Sequence, residues 1–291
     1  METTELLKKV RKIEIRTKGL VNQIFSGEYH SVFKGRGMSF SEVREYQFGD
    51  DIRTIDWNVS ARFNHPFVKI FEEERELTVI LLVDVSGSGE FGTVLQMKKD
   101  VAAELCAVLA FSAIKNNDKV GIIFFSDIVE KFIPPKKGRT HILRIVRELL
   151  DFHPSHKQTN ITEGLRYLTS AIKKRSIVFL ISDFLDERYD DALKIAAKKH
   201  DLIAVRLYDP RELELSPVGL LRVLDAESGE PQWVDTSDRL VRHSYSRWWN
   251  EQQDARIKLF RRSGVDSIDI RIDQSYIKPL TSFFRLRGKR W

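Results

Sequence analysis

Oxygen-bearing side chains occupy alternate positions in the segment 84–88, Asp-Val-Ser-Gly-Ser. The segment follows residues 77–83, a nearly continuous apolar run typical of a strand buried on both faces of a parallel sheet. On a loop that leaves a strand tip, Asp84, Ser86 and Ser88 can converge on one point, and the glycine between the serines lets the loop fold tightly. Because Mg²⁺ prefers carboxylate and hydroxyl oxygens, this loop is a candidate metal site.

Two later segments place further oxygen atoms near the ends of predicted elements. Thr159 lies just before a predicted helix over residues 161–172, and Asp183 follows a predicted strand over residues 177–181. In an open doubly wound sheet, ligands bind beyond the carboxyl ends of the strands, where the winding reverses. If residues 77–83 and 177–181 are neighbouring strands at that reversal, Asp84 and Asp183 face each other across the crevice.

The elements that would position these residues alternate along the chain from residue 77. This alternation predicts an α/β fold with a doubly wound, mostly parallel sheet and helices on both faces. Apolar runs predict strands over residues 77–83, 120–125, 177–181, 202–207 and 267–272. Amphipathic patterns predict helices over residues 94–114, 141–150, 161–172, 190–199, 237–263 and 276–287. We further expect an edge strand over residues 128–133, stopped by Pro134 and Pro135, and a hairpin around Gly229.

The chain before residue 77 has a different composition. Residues 1–28 predict an N-terminal helix, residues 29–76 form a segment rich in Gly, Arg and Asp, and residues 77–291 carry the main α/β domain. In the second segment, alternating Arg and Asp side chains can join a small appended subdomain by charge-assisted hydrogen bonds. A binding role for the same side chains is the alternative.

Composition limits the classes of function. No apolar run approaches the ~20 residues that a membrane helix needs, and residues 1–18 lack the apolar region of a signal peptide. We therefore expect a cytoplasmic protein that does not insert into a membrane. The net charge of +6 raises nucleic acid as a partner, but only the last residues form a dense basic cluster, Arg285, Arg287, Lys289 and Arg290. That cluster is weak support for a nucleic-acid binder.

Taken together, the motifs resemble those of a known family. An Asp-x-Ser-x-Ser loop, a Thr before a helix and an Asp after a later strand resemble the metal-ion-dependent adhesion site of von Willebrand factor A-like (vWA) domains. The preceding Arg44-Glu45-Tyr46 and Asp56-Trp57 are more specific, and they resemble the uncharacterised bacterial family called domain of unknown function fifty-eight. The resemblance covers roughly residues 29–291.

The resemblance implies a vWA-like fold and a set of metal ligands. Three hydroxyls would bind Mg²⁺ or Mn²⁺ directly, and two carboxylates would hold it closely or through water: Ser86, Ser88, Thr159, Asp84 and Asp183. Gln158 departs from the family pattern, since many vWA domains have Gly before the Thr. Members of the family are often encoded beside MoxR-type AAA+ ATPases, so such an ATPase, or its client, is the implied partner.

These observations favour a non-catalytic adaptor in which a carboxylate of the partner completes the coordination of the metal. No nucleophile–base pair, Walker loop or zinc-protease spacing is present in the sequence. A Mg²⁺-dependent phosphate-ester hydrolase is one alternative, and it needs a general base and an anion-binding Arg or Lys beside the metal. A nucleic-acid binder that uses the basic tail is another. A third is a dinucleotide site, because residues 87–92 fit Gly-x-Gly-x-x-Gly, although Asp84 and Glu90 would repel phosphates.

Overall fold

A computed structural model describes residues 10–11, 13–15, 17, 37–74, 77–92, 97–224 and 229–289, with only the backbone described at 37–41, 71–74 and 90. The described positions of the predicted N-terminal helix are helical, and the rest of that helix lies outside the described residues. The chain divides into two compact units, one of them Phe33–Leu77 and the other Met1–Val32 with Thr78–Trp291.

The smaller unit is built on one antiparallel strand pair. Strand β1 (Gly37–Glu45) pairs with β2 (Phe67–Glu74). Between them lie a 3-10 turn (Ile52–Thr54) and helix α1 (Trp57–Phe63). The side chain of Asp56 accepts hydrogen bonds from the first backbone N–H groups of α1, which stabilises the start of this short helix.

Arg44 and Asp50 join the two ends of the turn that follows β1. The guanidinium donates two hydrogen bonds to the carboxylate, at 2.9 and 2.7 Å. Asp50 also accepts a hydrogen bond from the backbone N–H of Gln47, and these contacts, the one from Arg44 above all, hold the pKa of Asp50 below its ordinary value. At these positions the alternating Arg and Asp side chains have the structural role expected from the sequence.

The larger unit contains a six-stranded sheet. Its strands are β3 (Thr78–Asp84), β4 (Lys119–Phe125), β5 (Val129–Lys136), β6 (Ile177–Ser182), β7 (Asp201–Tyr208) and β10 (Asp266–Arg271). They lie in the order β10-β7-β6-β3-β4-β5, and all pairs are parallel except β4 with β5. This strand order is that of a doubly wound sheet, so the predicted α/β fold with a doubly wound, mostly parallel sheet is confirmed.

Helices cover both faces of this sheet, as expected. They are α2 (Lys98–Lys115), α3 (Arg139–Asp151), α4 (Ile161–Ala171), α5 (Asp190–Lys199), α6 (Arg239–Ser263) and α7 (Ile277–Gly288). Ile80 and Leu82 of β3 share a core cluster with residues of α4, α5 and α6. On the opposite face, Phe179 of β6 contacts Phe284 of α7 in an edge-to-face arrangement. Alternate side chains of each strand are therefore buried on opposite sides.

Strand β5 differs from the sequence expectation. It was expected to stop before Pro134 and Pro135, but it runs through both to Lys136. A strand at the edge of a sheet tolerates proline because its outer N–H groups need no ladder partner. Gly121 of β4 allows the close approach, since a Cβ there would meet the nitrogen of Pro135 at 2.9 Å.

A hairpin interrupts the connection between β7 and α6. Its strands are β8 (Leu220–Leu224) and β9 (Pro231–Asp235), and nearly all of their residues are exposed. Helix α6 then returns along the sheet to β10, capped by Asp238 at its start and by the left-handed Gly264 at its end. The hairpin consequently leaves the fold at the carboxyl edge of the sheet. None of the helices described has the length and apolar character needed to cross a membrane.

Candidate metal centre

The two strands that carry the predicted carboxylates are neighbours. β3 and β6 pair in parallel, with Val83 opposite Ile181, at the point where the winding of the sheet reverses. Asp84 and Asp183 thus leave the sheet side by side, as expected. Ser182, which sequence reasoning did not select as a site residue, donates a hydrogen bond of 2.7 Å to Oδ2 of Asp84.

The first loop folds back on the tip of β3. Oδ1 of Asp84 accepts a hydrogen bond from the backbone N–H of Ser86, at 3.0 Å. Ser86 is almost fully buried, and its hydroxyl oxygen lies 3.2 Å from that of Ser88. Residues 87–90 form a single 3-10 turn, which brings the two serines to the same side. The alternate spacing therefore does gather the oxygen atoms of this loop.

Backbone hydrogen bonds join the segment that contains Thr159 to the first loop and to the residue that follows β4. The carbonyl of Lys157 accepts a hydrogen bond of 2.8 Å from the N–H of Gly87, and the N–H of Asn160 donates to the carbonyl of Ser126. Asn160 also caps α4 through its side chain. Thr159 lies between these fixed points and is partly buried, so it stands beside the serine loop.

Asp183 has a partner that the sequence did not reveal. The ammonium of Lys98, on the first residue of α2, lies 3.1 Å from Oδ2 of Asp183 and 2.5 Å from Oε1 of Glu212. Burial alone would lower the pKa of Lys98, but the two carboxylates outweigh it and the pKa is raised. Lysine and glutamate are usually exposed, and these two are distant from Asp183 in sequence, so neither was a candidate.

The electrostatic surroundings of Asp84 favour the binding of a cation beside its carboxylate. Burial, followed by the charge of Asp183, raises the pKa of Asp84 from 3.8 to about 7, although hydrogen bonds from Ser182 and Ser86 lower it. Two carboxylates held this close are stabilised together only when positive charge or a proton lies near them. A small cavity of about 30 Å³ is lined by Asp84, Ser88 and Asp183 among others.

The donor set indicates which metal would suit the site. Among the described residues, no group of three or more His, Cys, Asp or Glu side chains is arranged to hold a metal. The gathered donors are instead carboxylates and hydroxyls, which suit hard cations such as Mg²⁺ and Mn²⁺. Four of the predicted ligands lie together at this edge and fit such an ion, Asp84, Ser86, Ser88 and Asp183, and the segment that carries the fifth, Thr159, is hydrogen-bonded beside them.

One rival interpretation of the sequence loses its basis here, and a second loses one of its four basic residues. The glycines of the dinucleotide motif lie in and after a 3-10 turn, and α2 begins only at Lys98, so they do not open a helix N-terminus against a pyrophosphate. In the basic tail, Arg287 is buried and forms ion pairs with Asp201 and Asp266, which neutralise its charge.

Comparison with known proteins identifies the family of the chain. A family model described as "Protein of unknown function DUF58" matches residues 42–255. The chain belongs to this family. Among relatives in the family, the uncharacterised protein Rv1480 of Mycobacterium tuberculosis is 27% identical over 292 residues, which cover 99% of this chain and 92% of the relative.

Solved structures similar to this DUF58 chain include two bacterial proteins. The conserved hypothetical protein BatB from Bacteroides thetaiotaomicron is 16% identical, with a TM-score of 0.46 over 73% of this chain and 99% of that one. An aerotolerance-related membrane protein from Bacteroides fragilis is 14% identical, with a TM-score of 0.47 over 74% of this chain and 100% of that one.

Proposed function

We propose that this DUF58 protein is a non-catalytic adaptor that binds a protein partner through a divalent metal. Mg²⁺ or Mn²⁺ would be held at the carboxyl edge of the sheet, in a metal-ion-dependent adhesion site. A carboxylate of the partner would supply the ligand that the chain itself does not. Such a contact is strong, directional and reversible, because it depends on one metal–oxygen bond at an accessible position.

One observation carries this proposal: the carboxylates of Asp84 and Asp183 stand together where the winding of the sheet reverses. Asp84 is fixed by Ser182 and by the backbone of Ser86, which limits its motion before any metal arrives. The hydroxyls of Ser86 and Ser88 lie within 3.2 Å of each other beside it. Preorganised oxygen atoms of this kind lower the entropy lost when a cation binds.

The surroundings of the site support binding without catalysis. A phosphate-ester hydrolase would need an anion-binding cation free to contact the substrate. Lys98 lies at the site, but it is almost fully buried and already paired with Asp183 and Glu212. A phosphate oxygen that approached Lys98 would have to displace a carboxylate. We therefore expect no metal-stimulated hydrolysis of nucleotides or phosphate esters.

For the partner, the family resemblance gives the best starting point. We propose a MoxR-type AAA+ ATPase, or a client of that ATPase, and we place the encounter in the cytoplasm. The chemistry requires only that the partner present an exposed Asp or Glu that can reach the metal.

Metal binding is tested first by calorimetric titration of the purified protein with Mg²⁺. Asp84→Ala should abolish binding and leave the circular dichroism spectrum unchanged, because the side chain lies at the sheet edge rather than in the core. Asp191→Ala, which removes an exposed carboxylate on α5, is the matched control and should bind like the wild type. Unchanged Mg²⁺ affinity in Asp84→Ala would mean that the site is assigned wrongly.

Partner binding is tested by a pull-down of the candidate ATPase with and without EDTA. Thr159→Ala and Asp183→Ala should each weaken metal binding on the order of 10- to 100-fold and weaken the interaction accordingly. An interaction that survived EDTA and these substitutions would remove the role proposed for the metal. Metal-stimulated hydrolysis that disappeared in Asp84→Ala would favour the hydrolase instead.

A further inference from the structure

Two charged residues outside the family pattern, Lys98 and Glu212, also lie at the candidate metal site. Lys98 is 4% exposed and its ammonium bridges Asp183 and Glu212, at 3.1 and 2.5 Å. Its backbone N–H also donates to the carbonyl of Phe91, and its ammonium lies 5.8 Å from the centre of that ring. The lysine is thus fixed at the site by its own backbone as well as by its charge.

Glu212 connects the same lysine to a different part of the fold. It is the last residue of the 3-10 turn that follows β7, and its second carboxylate oxygen accepts a hydrogen bond from the N–H of Asp209. Its carbonyl accepts a hydrogen bond of 2.9 Å from the hydroxyl of Tyr245 on α6. Lys98 therefore joins the loop after β6 to the 3-10 turn after β7 and, through that turn, to α6.

The charges decide what the lysine does to a metal. With every group ionised, four carboxylates that act on one another here are opposed by two cations, the ammonium of Lys98 and the guanidinium of Arg206; the carboxylates are those of Asp84, Asp183, Asp186 and Glu212. The cluster therefore carries two excess negative charges that a divalent cation would balance. The ammonium already holds one oxygen of Asp183. A metal that draws on Asp183 must share it with this cation or displace it, and the two positive charges repel each other.

We propose that Lys98 is a tethered internal cation that competes with the divalent metal for Asp183 and keeps the metal affinity of the site moderate. This inference rests on the proposed function, because it concerns the same site. Any shift of Glu212 that draws the ammonium away from Asp183 would tighten metal binding, and metal binding would favour that shift in return.

The test compares two substitutions that have opposite effects under this proposal. Mg²⁺ affinity is measured by calorimetry at pH 8 and constant ionic strength. Lys98→Met removes the competing cation, so binding should tighten by on the order of 10-fold. Glu212→Gln removes the carboxylate that shares the lysine, so Lys98 should pair more strongly with Asp183. Mg²⁺ binding should therefore weaken. If Lys98 only braced Asp183, both substitutions would disturb the same network and both would weaken binding.

Two controls separate charge from fold. Lys98→Arg keeps the positive charge and should bind within a few-fold of the wild type. Lys115→Met makes the same chemical change at the far end of α2, about 25 Å along the helix, and should leave the affinity unchanged.

In EDTA, Lys98→Met should unfold at a lower temperature than the wild type, because Asp183 and Glu212 lose their shared partner. Mg²⁺ should then raise its unfolding temperature by more than it raises that of the wild type.

The possible failures are distinguishable. Wild-type protein that bound no Mg²⁺ would overturn the proposed function and this inference with it. Wild-type binding with Lys98→Met unchanged or weaker would overturn the inference alone. If Lys98→Met did not fold, Lys98→Gln would replace it, because it also removes the charge and should tighten Mg²⁺ binding in the same way. Tighter or unchanged Mg²⁺ binding in Glu212→Gln would also contradict the competition.

Discussion

Substituting Asp84 by Asn should stabilise the metal-free protein while destroying the site. The folded-state pKa of Asp84, about 7, lies above its ordinary value of 3.8, so ionisation of this carboxyl opposes folding. The corresponding stability is fully present below pH 3.8 and is lost as the pH rises through about 7. Asn keeps the shape and the acceptor oxygen for the N–H of Ser86 but carries no charge, so it should avoid this loss.

The magnitude follows from the shift. A difference of about three pH units corresponds to ~4 kcal/mol of unfolding free energy. Because Asp84 is only partly buried by its exposed area, we expect water to screen roughly half of this, which leaves ~2 kcal/mol at pH 8. For a chain of this size, that gain corresponds to a rise in unfolding temperature of about 4–8 °C.

The assay is thermal and urea unfolding in EDTA at pH 8 and pH 5, followed by circular dichroism. The advantage of Asp84→Asn should shrink by more than half at pH 5, where the wild-type carboxyl is largely protonated in the folded state. Asp191→Asn, on the exposed surface of α5, should change little at either pH. A variant less stable than the wild type at pH 8, or an advantage independent of pH, would show that burial of the Asp84 charge and its repulsion from Asp183 do not destabilise the folded protein.

Other predictions test the fold around the site. Gly164→Ala should destabilise the protein by about 1–3 kcal/mol in urea unfolding, because a Cβ there would meet Cγ of Phe125 at 2.9 Å, whereas Gly89→Ala has open space and should lose far less. Burial of His200, which lowers its pKa from 6.5 to about 4, should cause a loss of roughly 3 kcal/mol as the pH falls from 6.5 to 4, and His200→Gln should flatten that part of the stability profile; an unaltered profile would contradict the assignment. Arg44→Met should speed proteolytic cleavage within the smaller unit, and an unchanged cleavage rate would show that its ion pair with the neighbouring turn does not hold that unit together.

Much of the sheet could be predicted from the sequence because its central strands are buried on both faces. The apolar runs that became β3 and β6 were found within a residue or two of their observed ends, and the winding rule placed Asp84 beside Asp183. Those inferences need only local patterns and a topological regularity. The serine loop was found in the same way.

Contacts between residues far apart in the sequence could not be predicted from such local patterns. Lys98 lies 85 residues from Asp183, and nothing in its own neighbourhood marks it as buried, since a lysine in the first turn of a helix is normally solvated. Ser182 lies in the same segment as Asp183, but the family pattern that supplied the ligands includes only the Asp. The continuation of β5 through Pro134 was missed. A strand tolerates proline at the edge of a sheet, and the local sequence does not show which strand lies at the edge.

The prolines of β5 also affect whether a strand of another protein can pair with this edge of the sheet. An edge strand usually offers unpaired N–H groups that a foreign strand can extend, which leads to aggregation or to strand-addition complexes. Because successive N–H groups of a strand point to opposite sides, one of the two adjacent prolines, Pro134 or Pro135, removes an outward-facing donor and so interrupts the ladder that a further strand could form there. At the opposite border, the exposed Asp269 of β10 discourages the same event with a charge. Since strand addition is disfavoured at both borders, a partner that binds as proposed would dock at the loops at the carboxyl ends of the strands.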